Sequence, residues 1–398
     1  MPQQIVQRRS RGFICVNAHP EGCWRNVERQ IAAIRSRAQP VRTGINSVLV
    51  LGASTGYGLA SRIAAAWGFG AKTMGVCLER EPDGNKTASA GFYNTAAFHN
   101  FAQKDSLFAE TINADAFSDD AKRRVAEIAR KEIGKIDLII YSVAAPKRTD
   151  PKSGKAHNSV LKPVGSAYTN KTVDLDSEKV TEITIPPASE AEIADTVTVM
   201  GGDDWKMWLD MLAAENLLAE NSRTLAYSYI GPAMTWPIYR DGTIGAAKKN
   251  LEQTAHALDE MLDNHLGGEA RIAVNKAIVT QASAAIPVVP LYMSILFRVM
   301  KQKGLDEGAL EQMGRLFFDF LAEGATPKFD EAGRIRLDDR EMRADVQKEV
   351  TALWPDVTTE NLRDLTDFAG FQHEFRALFG FEVEGVDYSV PVETQLCW

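Results

Sequence analysis

The chain has 398 residues, 45% hydrophobic and 25% charged, ordinary proportions for a globular protein at a length beyond one small domain. A formal net charge of -8 argues against a general nucleic-acid binder, and no run of about 20 apolar residues offers a membrane span. No charged stretch followed by an apolar core opens the chain, so no secretory signal is expected. Eight Arg against two Glu make the first 42 residues locally basic, which reads as a solvated surface or as a weak contribution to binding an acidic group. The four cysteines, Cys15, Cys23, Cys77 and Cys397, lack the matching pair or His cluster of a zinc site and read as free thiols of a reducing cytoplasm.

In chain order, residues 26–37 read as a helix after the loop His19-Pro20-Glu21-Gly22. Residues 48–51 are an apolar run of strand length, followed by Gly52, Gly56 and Gly58 and then by an Ala-rich helical stretch over 57–67. Residues 73–78 and 107–112 are the next buried strands. A helix over 118–133 is capped by Ser118, with acids in its first turn, and 136–141 is a fourth strand. Residues 146–203 are polar, with several Pro, Gly and Thr, and read as an excursion or a small hairpin elaboration. A helix follows over 205–218, a strand over 224–230, an amphipathic helix over 244–262, a strand over 270–279, and helices over 286–303 and 310–321. The apolar stretch 284–299 is no membrane span, being broken by Pro287 and Pro290 and carrying Arg298. The tail after Pro327 is acidic and mixed.

Strands alternating with helices predict an α/β fold: a doubly wound parallel sheet, Rossmann and short-chain-reductase-like, with added helices and a small substrate-side elaboration. The expected organisation is one large Rossmann-type domain over 1–398. It comprises a first nucleotide-binding half at 46–145, a substrate-side excursion at 146–223, a second half at 224–325 and a C-terminal elaboration at 326–398. Ligands of such sheets bind outside the carboxyl ends of the strands. Glu79, Asp115 and Ser142 to Ala144 all fall at such ends.

The strand–glycine turn–helix order is the signature of a dinucleotide-binding turn. Gly52 would permit the tight turn, Gly56 the approach of the pyrophosphate, and Gly58 close helix packing, with the helix N-terminus facing the phosphates. The plain alternative is a strand–helix connection. Glu79, at the end of the second strand, would accept hydrogen bonds from ribose hydroxyls and repel a 2'-phosphate, which favours NADH over NADPH; otherwise it is a solvated acid. Arg80 beside it is the residue able to accommodate a phosphate.

Downstream, Tyr239 and Lys248 stand at a Y-x8-K spacing, not the i, i+4 pairing usual in short-chain reductases. Gly242 and Thr243 mark a helix start, with Thr243 as N-cap. Tyr239 then lies on the loop before the helix and Lys248 in its second turn, at the rim of the stripe Ile244, Ala247, Leu251, Ala255, Leu258 and Leu262. On position alone Lys248 reads as a surface lysine with a covered stem; in a nucleotide-binding fold it reads as a cleft residue. A phenol can donate a hydrogen bond or a proton to a carbonyl oxygen that gains negative charge on hydride addition, and a nearby ammonium can bind the cofactor ribose and lower the phenol pKa. Tyr229 reads either as a core aromatic or as a second tyrosine of the same cleft.

Across nearly its whole length the chain resembles the single-chain trans-2-enoyl thioester reductases, the FabV-type enoyl-ACP reductases and related trans-2-enoyl-CoA reductases. The resemblance rests on RGFICVNAHPEGC, GASTGYGLASRIAAAWGFGA, GDDW at 202–205, LAYSYIGP, the Y-x8-K pair, VNKAIVTQASAAIPVVPLY and DLTDFAGFQHEF. It implies a mostly monomeric enzyme that uses NADH to reduce the double bond of an enoyl-ACP or enoyl-CoA in fatty acid biosynthesis. It further implies that Gly52, Ala53, Ser54, Thr55, Gly56 and Tyr57 cradle the pyrophosphate. Leu78 and Glu79 would hold the adenosine ribose, and Asp115 and Ala116 the adenine. Val143 and Ala144 would line the cofactor site, and Ile278, Val279 and Thr280 would lie near the nicotinamide. Tyr229 would contact substrate, Tyr239 donate the proton and Lys248 bind the cofactor. Thr55 stands where serine or asparagine is common in the family. Some family descriptions associate the tail with flavin, but it holds no second dinucleotide fingerprint, so FAD is not expected. Acyl carrier protein is the implied macromolecular partner; no nucleic acid, membrane or metal is expected. The competing readings are a carbonyl reductase acting through Tyr239 on a ketone, and a non-catalytic dinucleotide sensor.

Overall fold

Seven strands make one sheet: β1 Ser47–Leu51, β2 Lys72–Cys77, β3 Ala109–Asn113, β4 Ile136–Tyr141, β5 Leu218–Ser228, β6 Glu269–Val274 and β7 Ile335–Arg336. Their order is β7-β6-β5-β4-β1-β2-β3, and every pairing is parallel. This is the doubly wound order of a dinucleotide-binding sheet with one strand added, and the direction of winding reverses between β1 and β4. The computed structural model describes residues 3–11, 14–37 and 44–398. Gly12 and Phe13 of the first motif, and Arg42 of the basic opening stretch, lie outside them.

A parallel sheet needs cover on both faces, and the strand sequences supply apolar side chains to both. Val48, Val50, Leu138 and Ile140 point to one face, where they meet α1 (Pro20–Arg37), α2 (Gly56–Ile63) and α3 (Ala90–Lys104). Leu49, Leu51, Ile139 and Tyr141 point to the other. There they meet α4 (Asp119–Ile128), while α5 (Glu190–Met200) lies on a neighbouring helix further out. The same face is covered by α6 (Asp203–Ala214) and α7 (Thr243–Leu266). A third apolar cluster is built on α8 (Val289–Gln302), beyond which α9 (Ala309–Arg315) returns to the first face. Val346 and Val350 of α10 (Ala344–Leu353) and Phe368, Phe371 and Phe375 of α11 (Phe368–Ala377) fill that third cluster.

Several boundaries differ from expectation. The loop at His19 to Gly22 is the first turn of α1, because Pro20 at the first helical position needs no hydrogen-bond partner for its nitrogen. α3 has no counterpart in the sequence reading. Residues 146–203 hold two antiparallel hairpins, Lys147–Thr149 with Ala156–Asn158 and Tyr168–Val173 with Val180–Ile185, and then α5 behind a Ser189/Glu192 capping box. β6 stops at Val274, so 275–279 are loop. The N-cap of α7 is Gly242, not Thr243, whose hydroxyl donates to the Val160 carbonyl and accepts from the Lys162 amide. The C-terminal elaboration supplies a sheet strand and core phenylalanines.

Candidate active site

The turn after β1 is built by close approach. Gly52 has φ +86°, and a Cβ there would lie 2.4 Å from the Ser142 carbonyl oxygen at the end of β4. A Cβ on Gly58 would lie 1.8 Å from the Gly52 carbonyl oxygen, so α2 starts directly against the turn. Thr55 caps α2 in an extended conformation with no side-chain cap bond, which leaves the first amides of the helix for a ligand. Tyr57 anchors the turn to the far end of the sheet, its hydroxyl donating to the Lys276 carbonyl at 2.6 Å.

Glu79 follows β2 and is held on all sides. Ser54 Oγ donates to Oε1 at 2.6 Å, and Ser89 Oγ, at the N-cap of α3, donates to Oε2. Asn113, the last residue of β3, accepts from the Glu79 amide at 2.8 Å and donates to its carbonyl at 3.0 Å. Leu78 stands 72% exposed beside it. Arg80 is turned to the Val16 and Thr87 carbonyls. After β3, Asp115 accepts the Phe117 amide in a tight turn, and the Ala116 carbonyl accepts from Lys122 Nζ at 3.2 Å and Trp208 Nε1 at 3.1 Å. The GDDW motif belongs to this brace. Asp204 takes Lys122 Nζ at 2.7 Å in a buried ion pair and also accepts from the Tyr141 hydroxyl, while Trp205 donates to Thr224.

A cavity of about 920 Å³ opens on Thr55, Gly56, Leu78, Glu79, Ile278, Val279 and Thr280, and also on Asn94, Arg29 and Glu374. Its walls thus join the glycine turn, the acid and the loop after β6. Gly52, Ala53, Ser54, Tyr57, Asp115, Ala116, Val143 and Ala144 do not line it; neither do Tyr229, Tyr239 and Lys248, which cluster at the end of β5. A dinucleotide suits the turn: the two backbone approaches would be filled by any Cβ, and the acid has both carboxylate oxygens fixed.

At the end of β5, Lys248 Nζ donates to the Tyr227 carbonyl at 3.0 Å, and burial lowers its pKa to about 8. Tyr239 is held in its loop by bonds from its amide to the Thr235 and Trp236 carbonyls. Its ring meets the Tyr229 ring edge-on, with centroids 4.9 Å apart at 90°. Its hydroxyl makes no hydrogen bond among the described residues. Burial first and the Glu341 carboxylate second push the Tyr239 phenol up to about 12. The expected lowering by Lys248 is not seen: the ammonium bonds the Tyr227 carbonyl, and the charge that reaches the phenol is a negative one.

The sequence reading missed Ser89, Asn113 and Glu341. Ser89 and Asn113 are polar residues at a helix cap and a strand end, both flanking Glu79, and their positions were the only signal. Glu341 sits in the charged run DDRE of a tail read only as acidic and mixed, yet it is fully buried.

Three family models match. Residues 86–321 match the trans-2-enoyl-CoA reductase catalytic region, 5–84 the NAD(P)H binding domain of trans-2-enoyl-CoA reductase, and 329–392 the enoyl reductase FAD binding domain. That last segment forms β7, α10 and α11 and holds no strand–glycine turn–helix unit among the described residues, so no residue in it is assigned to a flavin. The chain is 53% identical over 392 residues to an enoyl-(acyl-carrier-protein) reductase (NADH) of Opitutus terrae, covering 98% of this chain and 99% of that one. It is 51% identical over 392 residues to a trans-2-enoyl-CoA reductase (NADH) of Ruminiclostridium cellulolyticum, covering 98% of each. Among solved structures, the trans-2-enoyl-CoA reductase of Clostridium acetobutulicum in complex with NADH superposes with a TM-score of 0.95 at 41% identity, over 98% of both chains. That of Treponema denticola in complex with NAD gives 0.94 at 49%, again over 98% of both. The chain belongs to the trans-2-enoyl-ACP and trans-2-enoyl-CoA reductase family.

Proposed function

We propose that this protein is an NADH-dependent reductase of the trans-2 double bond of an enoyl thioester, yielding the saturated acyl thioester in fatty acid synthesis. The observation that carries the reading is Tyr239: a phenol kept neutral, with its hydroxyl unbonded, at a strand end shared with a half-buried lysine, in a chain of this family. NADH, when bound, supplies the hydride. Gly52 to Tyr57 hold its pyrophosphate, Leu78 and Glu79 its ribose, and Asp115 and Ala116 its adenine. Val143, Ala144 and Ile278 to Thr280 line the remainder of its path.

Tyr239 gives its hydrogen bond, and then its proton, toward the thioester oxygen where charge develops, and tautomerisation of the resulting enol leaves the proton on the α-carbon of the saturated thioester. Lys248 stays mostly protonated at neutral pH and offers its ammonium to the cofactor ribose. Tyr229 lies against Tyr239 and meets the acyl chain. We read the chain as one Rossmann-type unit with the excursion on its substrate side, working as a cytoplasmic monomer on enoyl-ACP or enoyl-CoA, with acyl carrier protein as docking partner in the first case. Among the described residues no helix is long and apolar enough to cross a membrane.

Steady-state rates with crotonyl-CoA, a longer enoyl-CoA and the matching enoyl-ACP, each with NADH and NADPH, test the reading. NADH-linked reduction with no turnover of the matching 3-ketoacyl thioester is the expected result. Turnover of the ketone in preference to the enoyl substrate would replace it by a carbonyl reductase. Tyr239→Phe should keep NADH binding and lower turnover by about 100-fold or more, as loss of a general acid does.

A further inference from the structure

Glu341 has a carboxylate that is 0% exposed and takes three hydrogen bonds from three different elements. Oε1 accepts from the Tyr229 hydroxyl at 2.9 Å and from the Tyr292 hydroxyl of α8 at 2.7 Å. Oε2 accepts from the Ala277 amide at 2.7 Å. Its backbone is pinned as well, since Gln347 Nε2 donates to the Glu341 carbonyl at 2.7 Å and to the Tyr292 hydroxyl at 3.1 Å. Lys276 is the cation whose field reaches it, but Lys276 Nζ bonds the Ala277 carbonyl and lies over the Phe297 ring, so no direct ion pair forms. An acid buried on neutral donors is a poor way to stabilise a core, because its desolvation is only partly offset. What it joins is specific. Tyr229 packs edge-on against Tyr239. Ala277 opens the loop that runs to Ile278, Val279 and Thr280, and that loop is also tied to the glycine turn through Tyr57 and to Gln312 through the Lys276 amide.

We propose that Glu341 is a positioning residue of the reduction, fixing Tyr229 against Tyr239 and, through the other carboxylate oxygen, setting the cofactor-side loop at Ala277. The inference rests on Tyr239 as the proton donor. It gives the C-terminal segment a part in the chemistry without any ligand of its own.

Glu341→Gln tests it, with Tyr229→Phe and the double variant beside it. In Glu341→Gln, kcat on crotonyl-CoA should fall by about tenfold or more while KM stays close to the parent value. The alkaline limb of the kcat–pH profile should move to lower pH, because a negative charge near Tyr239 has been removed. NADH affinity, read by nucleotide fluorescence, should stay within about threefold, because the amide oxygen of the glutamine still accepts from the Ala277 amide and keeps the loop in place. The double variant should be no slower than Glu341→Gln alone, as expected of two residues acting through one contact. Parental kcat with an unmoved alkaline limb overturns the inference; so do losses that multiply in the double variant. A fall in kcat matched by an equal fall in NADH affinity, with the limb unmoved, assigns Glu341 to the fold alone. If Glu341→Gln does not fold, Tyr229→Phe decides: it should lower kcat at unchanged KM, and a parental kcat overturns the inference. Should Tyr239→Phe keep full turnover, the functional reading falls first; if it is inactive while Glu341→Gln is unaffected, only the present inference falls.

Discussion

Replacing Lys248 with methionine should stabilise the protein at neutral pH while disabling it. The side chain lies in the second turn of α7 with one hydrogen bond, to the Tyr227 carbonyl at 3.0 Å, and no ion pair among the described residues. Burial lowers its pKa from 10.5 to about 8. At about 1.36 kcal/mol per pH unit, that drop means the folded state holds the charged amine at a cost of about 3 kcal/mol. The sign follows from linkage: between about pH 8 and pH 10.5 the unfolded chain binds the proton that the folded chain has released, so stability rises with pH across that window, and below it the full penalty is present. Methionine removes the penalty and also one charge-assisted hydrogen bond of about 2 kcal/mol, leaving a gain of about 1 kcal/mol at pH 7. For a chain of this size that is about 1–2 °C in melting temperature. Melts of both proteins from pH 6 to 10 should show the gap fully open at pH 7 and closing as the pH rises past 8. Addition of NADH should raise the melting point of the parent more than that of the variant, and the variant's turnover should fall by about 100-fold or more. A variant less stable than the parent at pH 7, or a gap that ignores pH, would refute the account of Lys248 as a half-buried, desolvated cation kept for its charge.

In Gly58→Ala the new Cβ would fall 1.8 Å from the Gly52 carbonyl oxygen, so α2 must back away from the turn. NADH affinity should drop by about tenfold or more despite the gain in helix propensity, and an unchanged affinity in a fluorescence titration would show the turn to be no cradle. Glu79→Gln should raise the NADPH-to-NADH ratio of kcat/KM, and Ser89→Ala should move it the same way but less, since one carboxylate oxygen keeps its Ser54 bond; a ratio that does not respond refutes the role of the acid. Phe368→Ala, at a fully buried position of α11, should cost about 3–5 kcal/mol in urea unfolding, and a loss below about 1 kcal/mol would mean that the tail is only draped on the surface.

Half of the architecture could be read directly. β1, β2 and β4 are short apolar runs bounded by turn residues, and the 136–141 strand is matched end to end because both of its faces are buried and its flanks are polar. Ser118 caps α4 through its bond from the Ala121 amide, as its position among acids suggested. α3 escaped notice because Phe92, Tyr93, Asn94, Thr95, Ala97 and Phe98 are all buried, leaving no polar face to give a period. Thr243 shows the limit of cap rules: an N-cap side chain by type, it is taken by the Val160–Lys162 segment, a partner far away in the chain. Tyr229 and Tyr239 were each visible, but their edge-on contact is tertiary, and Glu341, in a tail read only as acidic and mixed, lies buried beneath them.

The spacing of Tyr239 and Lys248 follows from where a parallel sheet puts its loops. All seven strands run the same way, so every carboxyl end opens on one edge. Along that edge stand the glycine turn after β1, Glu79 after β2, Asp115 after β3, Val143 after β4, Tyr229 after β5, Ile278 after β6 and Glu341 after β7. A loop on such an edge can lengthen without disturbing the core, as the excursion between β4 and β5 has done. The tyrosine therefore need not ride on the helix that carries the lysine. It has only to be held near the end of β5, and here the holding is done by the Thr235 and Trp236 carbonyls and by the Tyr229 ring. With its backbone fixed in the loop, Tyr239 can be set at any interval from Lys248 that the turn allows. The i, i+4 rule is thus one solution to a distance requirement, and a chain that meets the requirement from a loop will fail a search for the rule.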